Sequence, residues 1–584
     1  MVLLDRGGFI MEKTLSEKKT LKEIAKKDMI LAEFLKTNFN NFTLASYVDY
    51  LAKMDGERPA LCHVDKNGDR REFSYGDLSE LSNKMANFLR KKGIKKGDVV
   101  ALVLRNNYEF YIVSLALQKL GAITLTLQFM NKEKQYKSIF SKCNPKCVIA
   151  DDYEIVHAED SSFVLDEINK ACGNDEIIKL CTYPKNGFAE KKKGNNADTP
   201  NDWEELYDYL HESSEFESEQ VRTYDIGYLF ATSGTTGEPK IVMHNYAFAL
   251  SHFFTGLWYG VEEGKKHYTI ADSGWGMGTW NMCAVLLHRG IAYVNDYDRF
   301  NPEMLIKCMD KEEINSLCAP PSILNLLLMC LERNSDLSKL NLKVISSAGE
   351  PVDSRLKKRC IEQFGIVPRE GYGMTELSLA FTIDEEGKQR FSPLYDHIVL
   401  ERINSQEKQI VVTSSGNIGI CTGYLKKLLK EGGETLALCW KPPEENRKTV
   451  WRTGDVGNFD DGKVLCRGRA GSTVKINDQL VNMREVEKII EEFKGVSACL
   501  VECVEDDENR NCLVATIELE AGYEPTESIV AEIQAFVKNN APEYYRPKMV
   551  DIRRIPRTTS GKVKRKTLGH PVQRLQEARF KLSA

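Results

Sequence analysis

Thr232-Ser233-Gly234-Thr235-Thr236-Gly237-Glu238-Pro239-Lys240 crowds hydroxyl side chains, two glycines and a lysine into one stretch directly after the apolar run Tyr228-Leu229-Phe230. Glycine lets backbone N–H groups turn inward and approach phosphate oxygens closely, the hydroxyls add donors and a ligand for Mg²⁺, and the lysine offsets negative charge. The stretch reads as a loop that wraps a polyphosphate, which makes ATP the first ligand to expect. In a Walker loop the lysine directly follows a glycine; here Glu238 and Pro239 intervene, so this is a phosphate loop of another kind. An ordinary Ser/Thr/Gly turn is the plainer reading of these residues taken alone, and the rest of the chain has to decide.

Outward from the loop, strands and helices alternate. Upstream, Ser74 with Asp77 three residues on caps a helix carrying Leu78, Leu81, Met85, Phe88 and Leu89; Gly93 stops it, and an apolar strand runs from Val99 to Leu104. A helix over Phe110 to Leu120, a stop at Gly121, a strand through Leu127 and an apolar run at Cys147 to Ala150 repeat the pattern. Downstream, Val344 to Ser347 delivers Ala348-Gly349-Glu350-Pro351 in the way Tyr228 to Phe230 delivers the phosphate loop. The alternation predicts an α/β fold, parallel sheets covered by helices, with ligands at the carboxyl ends of strands. Residues 184 to 225 carry little apolar periodicity apart from Trp203 to Leu210 and read as a surface excursion.

After Gly471 the texture changes. Asn482 with Glu485 caps a helix whose apolar positions are Val486, Ile489, Ile490 and Phe493, and a second helix carries Ile529, Ile533, Phe536 and Val537, with strands between. The expected organisation is an N-terminal extension over 1–35, a large domain of stacked sheets over 36–470 and a small, mobile α+β domain over 471–584. Residues 1 to about 30 alternate Lys with Glu and Asp and suggest an extended start or a helical arm.

At 584 residues with a 42% hydrophobic share, the chain is long enough for two to four domains. The 80 basic and 85 acidic residues leave a net charge of −5, which predicts neither a nucleic-acid binder nor an acidic tail protein. Sixteen cysteines without C-x-x-C spacing, no signal-peptide pattern and an apolar run, Ile112 to Leu127, broken by Gln118 and Lys119 point to reduced thiols in the cytoplasm and no membrane span. Small-molecule partners and a monomer or homodimer are expected.

Four further segments follow the phosphate loop: Glu370-Gly371-Tyr372-Gly373-Met374-Thr375-Glu376, Trp451-Arg452-Thr453-Gly454-Asp455, Gly468-Arg469, and Pro556-Arg557-Thr558-Thr559-Ser560-Gly561-Lys562. In this order and at these separations the five motifs resemble the adenylate-forming superfamily of acyl-CoA synthetases, peptide-synthetase adenylation domains and luciferases, over roughly residues 40 to 570. Within it the chain looks most like the medium-chain acyl-CoA synthetases, through Glu370 to Gly373 and through Ala271-Asp272-Ser273-Gly274-Trp275 leading to Asn295-Asp296-Tyr297-Asp298-Arg299-Phe300. The resemblance implies that a carboxylate and ATP give acyl-AMP and pyrophosphate, and that CoA then takes the acyl group as a thioester.

It also implies roles. Thr232, Ser233, Gly234, Thr235, Thr236, Gly237 and Lys240 hold the leaving pyrophosphate, with Mg²⁺ on Thr232 and Glu376. Gly349, Glu350 and Pro351 lie beside the adenine; Glu370, Gly371, Tyr372 and Gly373 run under the nucleotide, and Thr375 touches the α-phosphate. Asp455 accepts the ribose hydroxyls, Arg469 adds charge near the ribose, and Lys562 is the catalytic cation that joins the attacking carboxylate to the α-phosphoryl group. Glycine at 373, where acetate-activating relatives have tryptophan, implies an acyl pocket open to a medium-chain or aromatic acid, with Trp275 as a second lining residue.

The pattern departs from the family at Gly471, where the hinge has Asp or Lys, at Asp478 and Leu480, which replace a glycine and an arginine near the thiol entrance, and at Thr126 and Phe129. Glycine tolerates large backbone rotations, so the hinge is expected to survive. Added bulk and negative charge at 478 and 480 leave room for an acceptor other than CoA, either a carrier-protein thiol or an amine. A catalytically weak sensor that binds nucleotide is the reading from outside the enzymes; Lys562, Glu376 and Asp455, all present, weigh against it.

Overall fold

The alternation of strands and helices folds into two mixed sheets with parallel centres, one antiparallel at both edges and the other at a single edge. The structure, a computed structural model, describes the chain from residue 15 to residue 557 apart from 157–160, 173–175, 183–202, 233–238, 298–299, 335–339, 350–351, 353, 404–406, 417, 426–429, 432–433, 436–448, 461–462, 470–472, 477–478, 506–510, 541–544 and 556. It divides into two compact units: Met1–His397 with Thr413–Thr449, and Ile398–Val412 with Val450–Ala584.

In the first unit, the eight-stranded sheet runs in the order Gly423–Leu425, Lys240–Asn245, Ile226–Thr232, Ile123–Thr126, Val99–Val103, Cys147–Asp151, Ile178–Thr182 and Glu204–Glu205. Strands from Ile226–Thr232 to Glu204–Glu205 pair in parallel, while Lys240–Asn245 and Gly423–Leu425 close one edge antiparallel. The nine-stranded sheet has a parallel centre from Arg369–Met374 through Val344–Ala348, Ser316–Cys318, Lys266–Thr269 and Ile291–Asn295 to Pro59–Val64, again with antiparallel edges, Leu377–Ile383 at one side and Arg70–Ser74 at the other. The expectation of parallel sheets holds for both centres and for the Glu204–Glu205 edge, and misses the other edges, where strands pair antiparallel.

Local chemistry explains the elements. Ser74 and Asp77 form a reciprocal capping box at the start of Tyr75–Lys91, and Tyr108–Leu120 ends on Gly121 in the left-handed region at φ 65°. Ala247–Tyr259 and Gly276–Leu287 are apolar almost all round and almost entirely buried, as such helices must be; Ala247–Tyr259 packs on strands of both sheets. Trp203, Leu206 and Tyr209 are buried and Glu204–Glu205 pairs with Ile178–Thr182, so this part of the expected surface excursion completes a sheet edge, while residues 211–220 are mostly exposed as expected.

The N-terminal segment forms two helices, Leu15–Lys27 and Met29–Asn38, with Ile24, Leu31 and Leu35 buried. Asp28 caps the second helix and also accepts from Arg289 Nη1 at 2.7 Å, the two side chains only 4% and 11% exposed.

In the second unit, strands Lys408–Ser414, Thr449–Asp460 and Lys463–Arg469 form one side-by-side array, and Val496–Glu505, Asn511–Leu519 and Met549–Ile552 form a three-stranded sheet against the helices Met483–Glu491 and Glu527–Asn540. Asn482 caps the first of these helices by accepting from Arg484 N, and Val486, Ile490, Ile529, Ile533 and Val537 fill the core. Among the described residues no helix is long and apolar enough to cross a membrane, and the cysteines are free thiols.

Asp28→Ala removes the carboxylate from a nearly buried guanidinium and the cap from a helix. Breaking such a pair costs about 3–5 kcal/mol. Urea unfolding of the full chain should show a loss at the lower end of that range, since Glu263 still reaches Arg289; a loss below about 1 kcal/mol would mean that this pair does not secure the N-terminal helices.

Candidate active site

The stretch read as a phosphate loop begins and ends on two strands that pair antiparallel. Strand Ile226–Thr232 leads in and Lys240–Asn245 leads out, with Thr232 and Lys240 directly opposite each other and the Thr232 hydroxyl 3.5 Å from the Lys240 carbonyl. Ser233, Gly234, Thr235, Thr236 and Gly237 lie outside the described residues, and the hairpin fixes both ends between which they run. Lys240 is exposed, and its Nζ stands 5.2 Å from the centroid of the Tyr424 ring.

The second part of the site comes from the other sheet. Thr375 and Glu376 form the turn between Arg369–Met374 and Leu377–Ile383. His244, on the hairpin's outgoing strand, places Nε2 at 2.7 Å from the Thr375 carbonyl. A carbonyl only accepts, so the ring presents Nε2–H; burial pushes the imidazole down to about 4, which keeps the ring neutral at neutral pH, with the carbonyl bond opposing that shift. The Glu376 carbonyl accepts from Cys421 N, Ser378 N donates to the Gly419 carbonyl, and the Tyr424 hydroxyl donates to Glu376 Oε1 at 2.6 Å. Thr232, Lys240, Thr375 and Glu376, recruited from two sheets, are thus tied to one edge.

Close approach of neighbouring atoms accounts for the glycines of the Glu370-Gly371-Tyr372-Gly373 motif. A Cβ at Gly371 would lie 2.5 Å from the Trp258 ring, and one at Gly373 would lie 2.9 Å from the Ser378 carbonyl oxygen. The direction a side chain takes at 373 is therefore filled by the backbone of Leu377–Ile383, and glycine there has a reason apart from acyl-pocket volume. Glu370 pairs with Lys357 and accepts from Val352 N at 3.4 Å, which ties it to the turn after Gly349, a left-handed residue at φ 92°. Tyr372 stacks on Phe381, ring centroids 4.7 Å apart. Glu350 and Pro351 lie outside the described residues.

Trp275 is the residue before helix Gly276–Leu287, and its carbonyl accepts from Gly278 N. A Cβ built on Gly276 meets only Trp280 Nε1 at 3.6 Å and the Thr375 hydroxyl at 3.9 Å, so the first turn of this helix borders Thr375 with space beside it. Trp280 Nε1 is buried without a hydrogen-bond partner. Asn106 fixes the approach to that turn, accepting from Ser273 N and Oγ and donating to the Ala271 carbonyl. Phe129 packs against the core of the eight-stranded sheet, under the buried Arg105 guanidinium at 5.1 Å.

In the second unit Asp455 and Arg469 are register partners across Thr449–Asp460 and Lys463–Arg469. The backbone N–H of Asp455 donates to Thr453 Oγ1, which itself donates to the Ile410 carbonyl. Lys562, Gly471 and Asp478 lie outside the described residues. Thr232 and Glu376 offer the hard oxygen donors that Mg²⁺ takes, and Tyr424 uses one oxygen of Glu376 while a carboxylate has room for about four partners, so the donor set fits that ion. No group of three or more His, Cys, Asp and Glu among the described residues is arranged to hold a metal by itself. His244 and Tyr424 belong to no motif in the sequence; His244 was findable only as the strand immediately following the loop.

The family model described as AMP-binding enzyme matches residues 49–402, and that of the AMP-binding enzyme C-terminal domain matches 485–562. The chain is similar to 4-hydroxybutyrate--CoA ligase 1 of Metallosphaera sedula, 27% identical with 95% of this chain and 94% of that protein covered. It is similar to the mitochondrial acyl-coenzyme A synthetase ACSM3 of Homo sapiens, 25% identical over 87% of this chain and 85% of that one. In fold it resembles the anthranilate CoA ligase AuaEII in complex with anthranoyl-AMP, with a TM-score of 0.73 at 18% identity, covering 92% of this chain and 97% of that one.

His244→Leu removes the N–H that holds the Thr375 carbonyl and should slow acyl-adenylate formation by roughly tenfold, the effect of about one lost hydrogen bond on a transition-state contact; His244→Gln should restore most of it. The same pair tests linkage. The folded pKa lies below the unfolded one, so stability linked to His244 is complete above about pH 6.5 and is lost as pH falls toward about 4. Acid unfolding of His244→Gln should be shallower across that window; identical profiles for the two proteins would contradict a neutral, buried His244.

Proposed function

The chain belongs to the AMP-binding enzyme family, and on that premise we propose that the edge shared by its two sheets is where a medium-chain or aromatic carboxylic acid is adenylated. The reaction is ATP-dependent activation of a carboxylic acid to acyl-AMP, with pyrophosphate released, followed by thioester formation with CoA. The chain is an AMP-forming acid–CoA ligase. The observation that supports the site most directly is the hairpin pairing of Thr232 with Lys240 and its tie through Tyr424 to Glu376.

In this proposal Thr232, Ser233, Gly234, Thr235, Thr236, Gly237 and Lys240 grip the β- and γ-phosphates, with hydroxyls and backbone N–H groups donating and Lys240 neutralising charge. Thr232 and Glu376 hold Mg²⁺, which when bound neutralises charge on the departing pyrophosphate. Thr375 donates to the α-phosphate, its backbone kept in place by His244. Gly349, Glu350, Pro351 and Glu370 to Gly373 flank the adenine, Asp455 accepts the ribose hydroxyls and Arg469 stands near them. The acid lies by Trp275 and the first turn of Gly276–Leu287, where helix N–H groups favour a carboxylate.

Lys562 draws the carboxylate and the α-phosphoryl group together; its ammonium matters most when phosphorus carries both the entering and the leaving oxygen. Residues 36–470 hold ATP and acid, and residues 471–584 supply Lys562. The protein acts in the cytoplasm on small molecules, as a monomer or homodimer.

Lys562→Ala should slow pyrophosphate release at least about 100-fold, the scale for losing one group that stabilises transition-state charge, while nucleotide affinity stays within about threefold. An unchanged rate would overturn the role of Lys562. Pyrophosphate release measured across acids from acetate to dodecanoate and across aromatic acids, with and without CoA, should peak at medium-chain or aromatic acids and turn over faster with CoA. A maximum at acetate would reject the proposed acid class.

A further inference from the structure

Tyr424 stands outside every motif of the sequence, yet it touches two proposed site residues at once. It lies in Gly423–Leu425, which pairs antiparallel with Lys240–Asn245, Val242 opposite Tyr424. Its hydroxyl donates to Glu376 Oε1 at 2.6 Å, a short bond of the kind formed with a carboxylate, and its ring lies 5.2 Å from the Lys240 ammonium. The ring is 39% exposed, so the contact is reached from solvent and not buried in the core.

The backbone around Glu376 is already fixed. Its carbonyl accepts from Cys421 N, its neighbour Leu377 bridges Ile420, and Ser378 N donates to the Gly419 carbonyl. What remains free in Glu376 is the side chain, whose rotatable bonds let the carboxylate sweep a wide arc unless something holds it. Tyr424 is that restraint. It takes one lone pair of one oxygen and leaves the other oxygen for a cation. A cation over the face of a phenol also draws electron density from the ring, so Lys240 strengthens the hydroxyl as a donor.

We propose that Tyr424 is a positioning residue for the divalent cation: its hydroxyl holds Glu376 in the metal-binding orientation, and its ring holds Lys240 at the exit of the phosphate loop. The inference rests on the reading of Glu376 as a Mg²⁺ ligand. Removing a partner that orients a metal ligand usually weakens the metal about 10- to 100-fold.

The test uses the full-length protein, Mn²⁺ as the probe and α,β-methylene-ATP, which cannot be cleaved between the α- and β-phosphates. Electron paramagnetic resonance counts free Mn²⁺ during a titration of the ternary complex. Tyr424→Phe keeps the ring, the strand pairing and the contact with Lys240, and should weaken Mn²⁺ about tenfold while nucleotide affinity in EDTA, read by calorimetry, stays unchanged. Glu376→Gln should weaken Mn²⁺ at least as much. If Glu376→Gln weakens Mn²⁺ and Tyr424→Phe stays within twofold of wild type, Tyr424 is strand packing only and the proposal is overturned, with the metal reading intact. If Glu376→Gln leaves Mn²⁺ binding unchanged, the metal reading fails and the proposal with it.

Discussion

Two sheets have to present their antiparallel edges to each other, and the hydrogen bond from His244 to the Thr375 carbonyl is where they do so. The donor strand continues directly from the phosphate loop; the acceptor sits one residue before Glu376. A bond between these two residues sets the spacing between the strand that leaves the Thr232–Lys240 hairpin and the turn that carries Glu376. Because the imidazole is buried, it works as a neutral donor, and a charged ring there would carry the desolvation cost that pushes its pKa down.

The antiparallel edges make this possible. A parallel strand ends in a crossover that leads the chain away from the sheet, whereas a hairpin returns it at once, so both ends of the phosphate loop stay in one sheet with Thr232 opposite Lys240. On the other sheet the turn at Thr375-Glu376 is tight enough that Gly373 has a strand carbonyl where a side chain would go. The glycines of these segments answer to backbone crowding first, and what the site gains is a turn that can sit close to its neighbours. The Asn106 contacts repeat the principle, fixing Ala271 to Ser273 ahead of the helix that starts beside Thr375.

Much of the framework was legible in the sequence because local rules govern it. The Ser74–Asp77 box, the left-handed Gly121 and the Asn482 cap are read from a few neighbouring residues, and each sits where that chemistry puts it. The Thr232 to Lys240 stretch was read from its own glycines and hydroxyls, and Glu370 to Glu376 from the family resemblance. The edges were not: whether a strand crosses over or turns back depends on what packs on the sheet, which no window of a dozen residues contains. Trp203 to Tyr209 looked like surface because its burial depends on the edge of a sheet built from distant strands. The N-terminal helices carry alternating charges, and the approach of Arg289 to Asp28, 261 residues apart, together with the burial of Ile24, Leu31 and Leu35, shows how they are held. His244 and Tyr424 reach partners 131 and 48 residues away and have no signature of their own. The role of Lys562 is assigned by resemblance alone, and Ser233 to Gly237 lie outside the described residues.

The proposed site for a metal-bound triphosphate needs both sheet edges at once. Crystals of the protein grown with α,β-methylene-ATP and Mn²⁺ test it most directly, through the anomalous signal of the metal. The account predicts a peak bridging the Thr232 hydroxyl and the Glu376 carboxylate, with the triphosphate lying along the turn from Thr232 to Lys240. A metal peak away from both residues, or nucleotide bound elsewhere with this turn empty, would contradict it.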